Sequence, residues 1–107
     1  MAAQSDTIIA IVKKYIAELE KHHIPIQEAI LYGSCANGQV REESDIDVAL
    51  ISQAFTGDRF EDRWRIVPLR RKIDSRIEPM PFTPAGFSKG GNLIDAIKKN
   101  GIRIDVQ

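Results

Sequence analysis

Apolar positions along the chain change period several times, and each change predicts an element. In residues 5–21, Ile8, Ile9, Val12, Ile16 and Leu19 recur at intervals of three and four. That is the period of a helix with one buried face, and Ser5 or Asp6 supplies its N-cap. Residues 28–32 (Glu28-Ala29-Ile30-Leu31-Tyr32) and residues 46–51 are short apolar runs bounded by glycine and polar residues, and predict two strands. Residues 55–58 form a connection broken at Gly57. A helical stretch follows over residues 59–74, with Phe60, Trp64, Val67 and Ile73 facing inward and Pro68 predicting a kink or two shorter helices. Residues 77–80 predict a third strand and residues 83–91 a loop. Residues 92–99 predict a short helix stopped by Asn100-Gly101, and residues 102–106 alternate as a final strand. No internal repeat, low-complexity run or interdomain linker interrupts this order. The pattern predicts an α/β (α+β) chain, a small mixed β-sheet packed with helices, organised as one domain over residues 1–107. It does not choose among the topologies open to such a sheet.

The candidate chemistry lies between the first two strands. Gly33-Ser34 closes the first, ten residues follow, and Asp45-Ile46-Asp47 opens the second. Side chains alternate along a strand, so Asp45 and Asp47 share one face while Ile46 points into the core. Two carboxylates on one face make a hard oxygen site suited to Mg²⁺ or Mn²⁺. Without metal they repel, and one should bind its proton more tightly. Gly33 permits close backbone approach, and Ser34 adds a hydroxyl and an N–H at a place favourable to phosphate. Taken singly, Gly-Ser is more often only a turn and Asp-x-Asp only a strand start. Their joint spacing arises by chance on the order of once per thousand chains of this length at ordinary residue usage. The combination in a strand–turn–strand context therefore favours a nucleotide site.

These residues carry a resemblance. The run Leu31-Tyr32-Gly33-Ser34-Cys35-Ala36-Asn37-Gly38, followed by Ser44-Asp45-Ile46-Asp47-Val48-Ala49-Leu50, resembles the DNA polymerase beta-type nucleotidyltransferase superfamily. It is most similar to the minimal nucleotidyltransferases, the MntA-type antitoxin domains, over nearly the whole chain. The resemblance implies the nucleotidyltransferase palm fold and Mg²⁺-dependent transfer, with two ions and ATP as the donor of AMP. It implies Asp45 and Asp47 as catalytic and metal-binding residues, and Gly33, Ser34 and Ser44 as nucleotide-binding ones. It also asks for a third carboxylate on a later strand. Glu78, in Arg76-Ile77-Glu78-Pro79-Met80-Pro81-Phe82, takes that place. Pro79 biases it towards an extended conformation, and the prolines argue for a short or edge strand. The family more often carries Asp there. Asp74 competes, but reads as part of a helix end. The implied acceptor is a hydroxyl on a partner macromolecule, and many relatives pair with a helical HEPN toxin. The competing reading is a catalytically weak nucleotide-binding subunit that neutralises its partner by contact. Glu in place of Asp at the third position, and Asn37 where relatives often carry Arg, favour it.

Composition narrows the partners. Fifteen basic and fifteen acidic residues cancel, which argues against general nucleic-acid binding. One cysteine permits no internal disulfide and suits a reducing compartment. With no apolar run near the length of a membrane span and no leader pattern, the expectation is a cytoplasmic protein without a membrane partner. His22 and His23 lack partners at metal spacing and read as a solvated helix end. Cys35 reads as a variable motif position rather than a nucleophile. Arg59, Arg63, Arg70 and Arg71 read as a mostly solvated helix face, whereas Arg76 is placed to meet phosphate or a site acid. The edge at residues 102–106 leaves a homo-oligomer open.

Overall fold

Helix α1 (Gln4–Lys21) buries Ile8, Val12, Tyr15, Ile16 and Leu19 along one side, the stripe its spacing predicts. The computed structural model describes residues 4–33 and 45–106, with side chains from residue 7 onward. Ser5 and Asp6 fall inside α1 rather than at its cap. The helix ends by wrapping its last carbonyls: His23 N–H donates to Glu20 O and Ile24 N–H to Leu19 O, with His23 at φ 66°. This is the left-handed helix stop usually given to glycine. His22 meets Glu18 at 3.2 Å.

Strands β1 (Glu28–Tyr32), β2 (Ile46–Ile51), β3 (Ile77–Phe82) and β4 (Ile102–Ile104) form one mixed sheet in the order β3-β2-β1-β4. β1 runs antiparallel to both β2 and β4, and β2 runs parallel to β3. A parallel pair needs a crossover, and α2 (Arg59–Ile66) with a 3₁₀ helix (Val67–Lys72) provides it. Pro68 explains the change of helix type, since it cannot donate into an α-helical ladder. β1 and β2 are covered on both faces, so they read as near-continuous apolar runs. On one face Leu31, Val48 and Leu50 pack with α1. On the other Ile30, Ala49 and Ile51 pack against Phe87 of α3 (Pro84–Lys89) and Ile97 of α4 (Asn92–Asn100). Among the described residues no helix is long and apolar enough to cross a membrane.

Two expectations are corrected. Residues 83–91 contain α3: Thr83 Oγ1 accepts from Gly86 N–H at 3.0 Å and Pro84 fills the first turn, a start signal hidden by the surrounding small and polar residues. The rotation of α2 also differs. Phe60 and Trp64 are 71% and 75% exposed, while Asp62 and Ile66 are buried. Asp62 decides this. Its carboxylate accepts from Thr56 N–H at 2.9 Å, Thr56 Oγ1 at 3.0 Å and Gly57 N–H at 3.1 Å. Asp58 caps the helix by accepting from Glu61 N–H, and Ile66 fills the core. A buried carboxylate with three donors outranks aromatic periodicity.

Candidate active site

The site lies where β1 ends and β2 and β3 begin. Strand register pairs Tyr32 with Asp47, and Asp47 with Glu78. The three therefore form a row across adjacent strands on one sheet face. That face is the one covered further along by α3 and α4, and among the described residues the row lies beyond that cover. Gly33 follows Tyr32 at φ 74°, and a β-carbon there would lie 2.5 Å from Asp47 Oδ2. A side chain at residue 33 is thus opposed by both backbone conformation and the carboxylate. The glycine of the motif and its second aspartate are in direct apposition.

Electrostatics mark Asp47. Burial, then the nearby charges of Asp45 and Glu78, raise its pKa above the ordinary 3.8. Among the described residues no cation pairs with it. Tyr32 is raised above 10.0 by burial, then by Asp47. Asp45 is exposed at the strand entrance.

Glu78 stands in a different environment. Arg63 Nη2 lies 3.4 Å from its Oε2 and Arg70 Nη1 3.3 Å from its Oε1. The same arginines donate to the carbonyls of Pro79 at 2.6 Å and Ile77 at 2.7 Å. β3 is an edge strand, and Pro79 and Pro81 alternate so that their missing N–H groups cost the sheet nothing. The arginines occupy carbonyls that this edge would otherwise leave open. Arg63 and Arg70 are therefore not a solvated face, which corrects the reading from sequence. They come seven residues apart, a spacing that keeps two side chains on one helix face. That was the signal available, together with the lone acid in the strand they cover. Arg71 is exposed, and Arg59 lies 5.7 Å from the centre of the Phe82 ring. Arg76 meets Asp74, Nη2 to Oδ2 at 2.8 Å and Nε to Oδ1 at 3.0 Å. These bonds hold the Asp74 carboxyl below the usual range, and Asp74 precedes β3 rather than joining the row.

Ser34, Ser44, Cys35 and Asn37 lie outside the described residues. Among the described residues no group of three or more His, Cys, Asp or Glu side chains is gathered closely enough to hold a metal ion. The sheet brings Asp47 and Glu78 into register, but Glu78 is drawn to its two arginines.

A mixed four-stranded sheet with a glycine turn against the second acid of an Asp-x-Asp strand, and a third acid on the parallel neighbour, defines a nucleotidyltransferase domain. The chain belongs to that family: the model of the nucleotidyltransferase domain matches residues 9–104. An enzyme of this class is the corresponding activity. Among solved structures, a candidate nucleotidyltransferase from Sulfolobus solfataricus is similar with a TM-score of 0.66 and 14% identity, over 92% of this chain and 80% of that one. A toxin–antitoxin structure with AMP-PNP is similar with a TM-score of 0.61 and 23% identity, over 89% and 73%. At these identities the likeness shows a shared fold. No functionally curated protein matches the chain.

Proposed function

We propose that this domain transfers AMP from ATP to a hydroxyl on a partner macromolecule, with Asp45 and Asp47 as its catalytic carboxylates. The observation that carries this reading is Asp47. A carboxylate lies against the backbone of the glycine turn, raised by burial and by two neighbouring acids. Such a surplus of negative charge is what a divalent ion neutralises. The donor set of Asp45 and Asp47, hard and anionic, suits Mg²⁺ or Mn²⁺, with nucleotide phosphates completing the shell. When bound, the metal supplies charge neutralisation at the phosphates and a lowered pKa for the acceptor hydroxyl.

The chain's own residues do the rest. Gly33 lets backbone approach the β- and γ-phosphates, and the nucleotide-binding role is extended to Ser34 and Ser44 from the motif alone. Asp45 and Asp47 orient the α-phosphate for in-line attack, where positioning supplies much of the rate. Glu78 acts as the third carboxylate, as metal ligand or base, after exchanging part of its arginine pairing. Arg63 and Arg70 set its position until then. The acceptor belongs to a partner protein, in the manner of an MntA-like antitoxin with a helical HEPN toxin. The structural neighbour described as a toxin–antitoxin with AMP-PNP supports this reading.

A second reading has its own observation. Both Glu78 oxygens are engaged by arginines, the state expected of a binding subunit that neutralises its partner by contact with little catalysis. Pyrophosphate release from ATP, with the partner present, separates the two. The enzyme reading expects release that requires Mg²⁺ and falls at least about 100-fold in Asp47→Asn, as for a group acting directly on the reacting phosphates. A rate equal in wild type and variant would leave only the binding subunit.

A further inference from the structure

Phe60 and Trp64 are the most exposed large apolar side chains among the described residues. They lie one turn apart on α2, and Val67 continues their stripe into the 3₁₀ helix. Arg59 and Arg63 line the same side, and among the described residues these five line an open groove of about 500 Å³. The fold does not require these aromatics, because α2 is seated through Asp62 and Ile66 on its other side. Two large aromatics left in water beside a groove mark a contact surface.

The two charged residues that line the groove among the described residues are both basic, Arg59 and Arg63. Glu61, three residues before Trp64, borders the aromatic stripe on the side away from Arg63. Asp58 is committed to the helix cap. Among the described residues, the rim on the side towards Glu78 carries Arg59 and Arg63. The groove also adjoins the candidate active site, since Arg63 reaches from it to Glu78.

We infer that this groove docks the acceptor protein, through an amphipathic helix whose apolar stripe covers Phe60, Trp64 and Val67 and whose acidic flank meets Arg59 and Arg63. This rests on the reading of the domain as a transferase with a macromolecular acceptor, and names the chemistry of that acceptor's docking segment. A second copy of the chain, which would set the same patch on both subunits, is the alternative occupant, and dilution of the protein alone tests it. Single-stranded nucleic acid fits less well. It needs cations that track several phosphates, whereas Arg63 is bonded to Glu78 and Pro79 and the chain's net charge is zero. A guanidinium has five donors, so one or two carboxylates can join the bonds already made. A docked helix on α2 brings its protein to the entrance of the Asp47 row, where an acceptor hydroxyl is required.

Trp64 is the chain's only tryptophan, so its emission reports on the groove directly. The probe is a synthetic helical peptide with leucines at helical spacing flanked by glutamates. Its controls are the same peptide with lysine flanks, an oligoadenylate, and dilution of the protein alone. The glutamate peptide should shift Trp64 emission to the blue and saturate. The lysine peptide should bind at least about ten-fold more weakly, the scale of one well-placed interface interaction. With labelled peptide, Phe60→Ala should weaken binding by a similar factor, and Arg59→Glu should reverse the preference between flanks. Absence of saturable peptide binding, equal binding of the two flanks, or a saturating shift with oligoadenylate or with protein concentration alone would each overturn the proposal. ATP with Mg²⁺ is titrated into the same preparations. Peptide failure with intact ATP binding overturns the groove alone, while loss of ATP binding with intact docking counts against the transfer reading instead.

Discussion

Asp47 carries a cost that folding alone gives no reason to accept. Its pKa is raised, so the folded chain holds the proton more tightly than the unfolded chain does. Between the ordinary 3.8 and the raised value the folded state binds more protons, and stability falls as pH rises. Above that window the cost is fully present; below 3.8 it is gone. Asp47→Asn should therefore melt at a higher temperature than wild type near neutral pH, with the difference vanishing in acid, while nucleotidyl transfer is lost. Thermal melts at pH 7 and pH 3.5 check the sign; a variant less stable at both would contradict it. Asp74 runs the other way. Held low by Arg76, it contributes stability above 3.8 that is lost as pH falls, so Asp74→Asn should cost stability at neutral pH, as melts at pH 7 will show. Gly33 is the second residue under constraint. Gly33→Ala adds a β-carbon at positive φ and against Asp47 Oδ2, at a cost of roughly 1–3 kcal/mol. It should lower both melting temperature and ATP affinity, and an unchanged affinity measured by calorimetry would detach the turn from the nucleotide.

At the scale of elements, the crossover between β2 and β3 explains most of what the sequence left hidden. α2 is anchored to α1 by one buried bond, Tyr15 Oη donating to Ile66 O at 2.6 Å. Burial pushes the Tyr15 hydroxyl well above its usual range, so it remains a donor. Tyr15→Phe removes this bond and should cost about 0.5–1.5 kcal/mol in urea unfolding; no change would mean that α2 is held by packing alone. Periodicity identified every strand, α1 and α4, because each buries a regular stripe or run. It misjudged α2 because polar groups orient that helix: Asp62 inside, Arg63 and Arg70 against β3, aromatics outside. The break at Pro68 was legible from chemistry, since a residue without an N–H cannot continue an α-helical ladder. α3 was not, because its signal is only Thr83 and Pro84 before five residues of modest helix preference.

For the whole molecule, strand order converts a linear motif into a site. Asp45, Asp47 and Gly33 were readable from spacing because they flank a single β1–β2 connection. Placing Glu78 beside Asp47 requires β3 to pair parallel with β2, which no local pattern states; the resemblance supplied it. The arginines that hold Glu78 follow from the same crossover, so they too were out of reach of local reading. Among the described residues, the topology also leaves the acid row beyond the cover of α3 and α4, with the exposed face of α2 alongside. On the proposed transferase reading, a partner presents the acceptor hydroxyl to this row. The most direct measurement is intact-mass spectrometry of the protein encoded next to this one, incubated with ATP, Mg²⁺ and this chain, beside an Asp45→Asn control. Gain of one or more AMP units on the neighbour, absent with the variant, is the predicted result. A stable complex whose neighbour gains no mass would contradict the transferase account and leave a subunit that acts by binding.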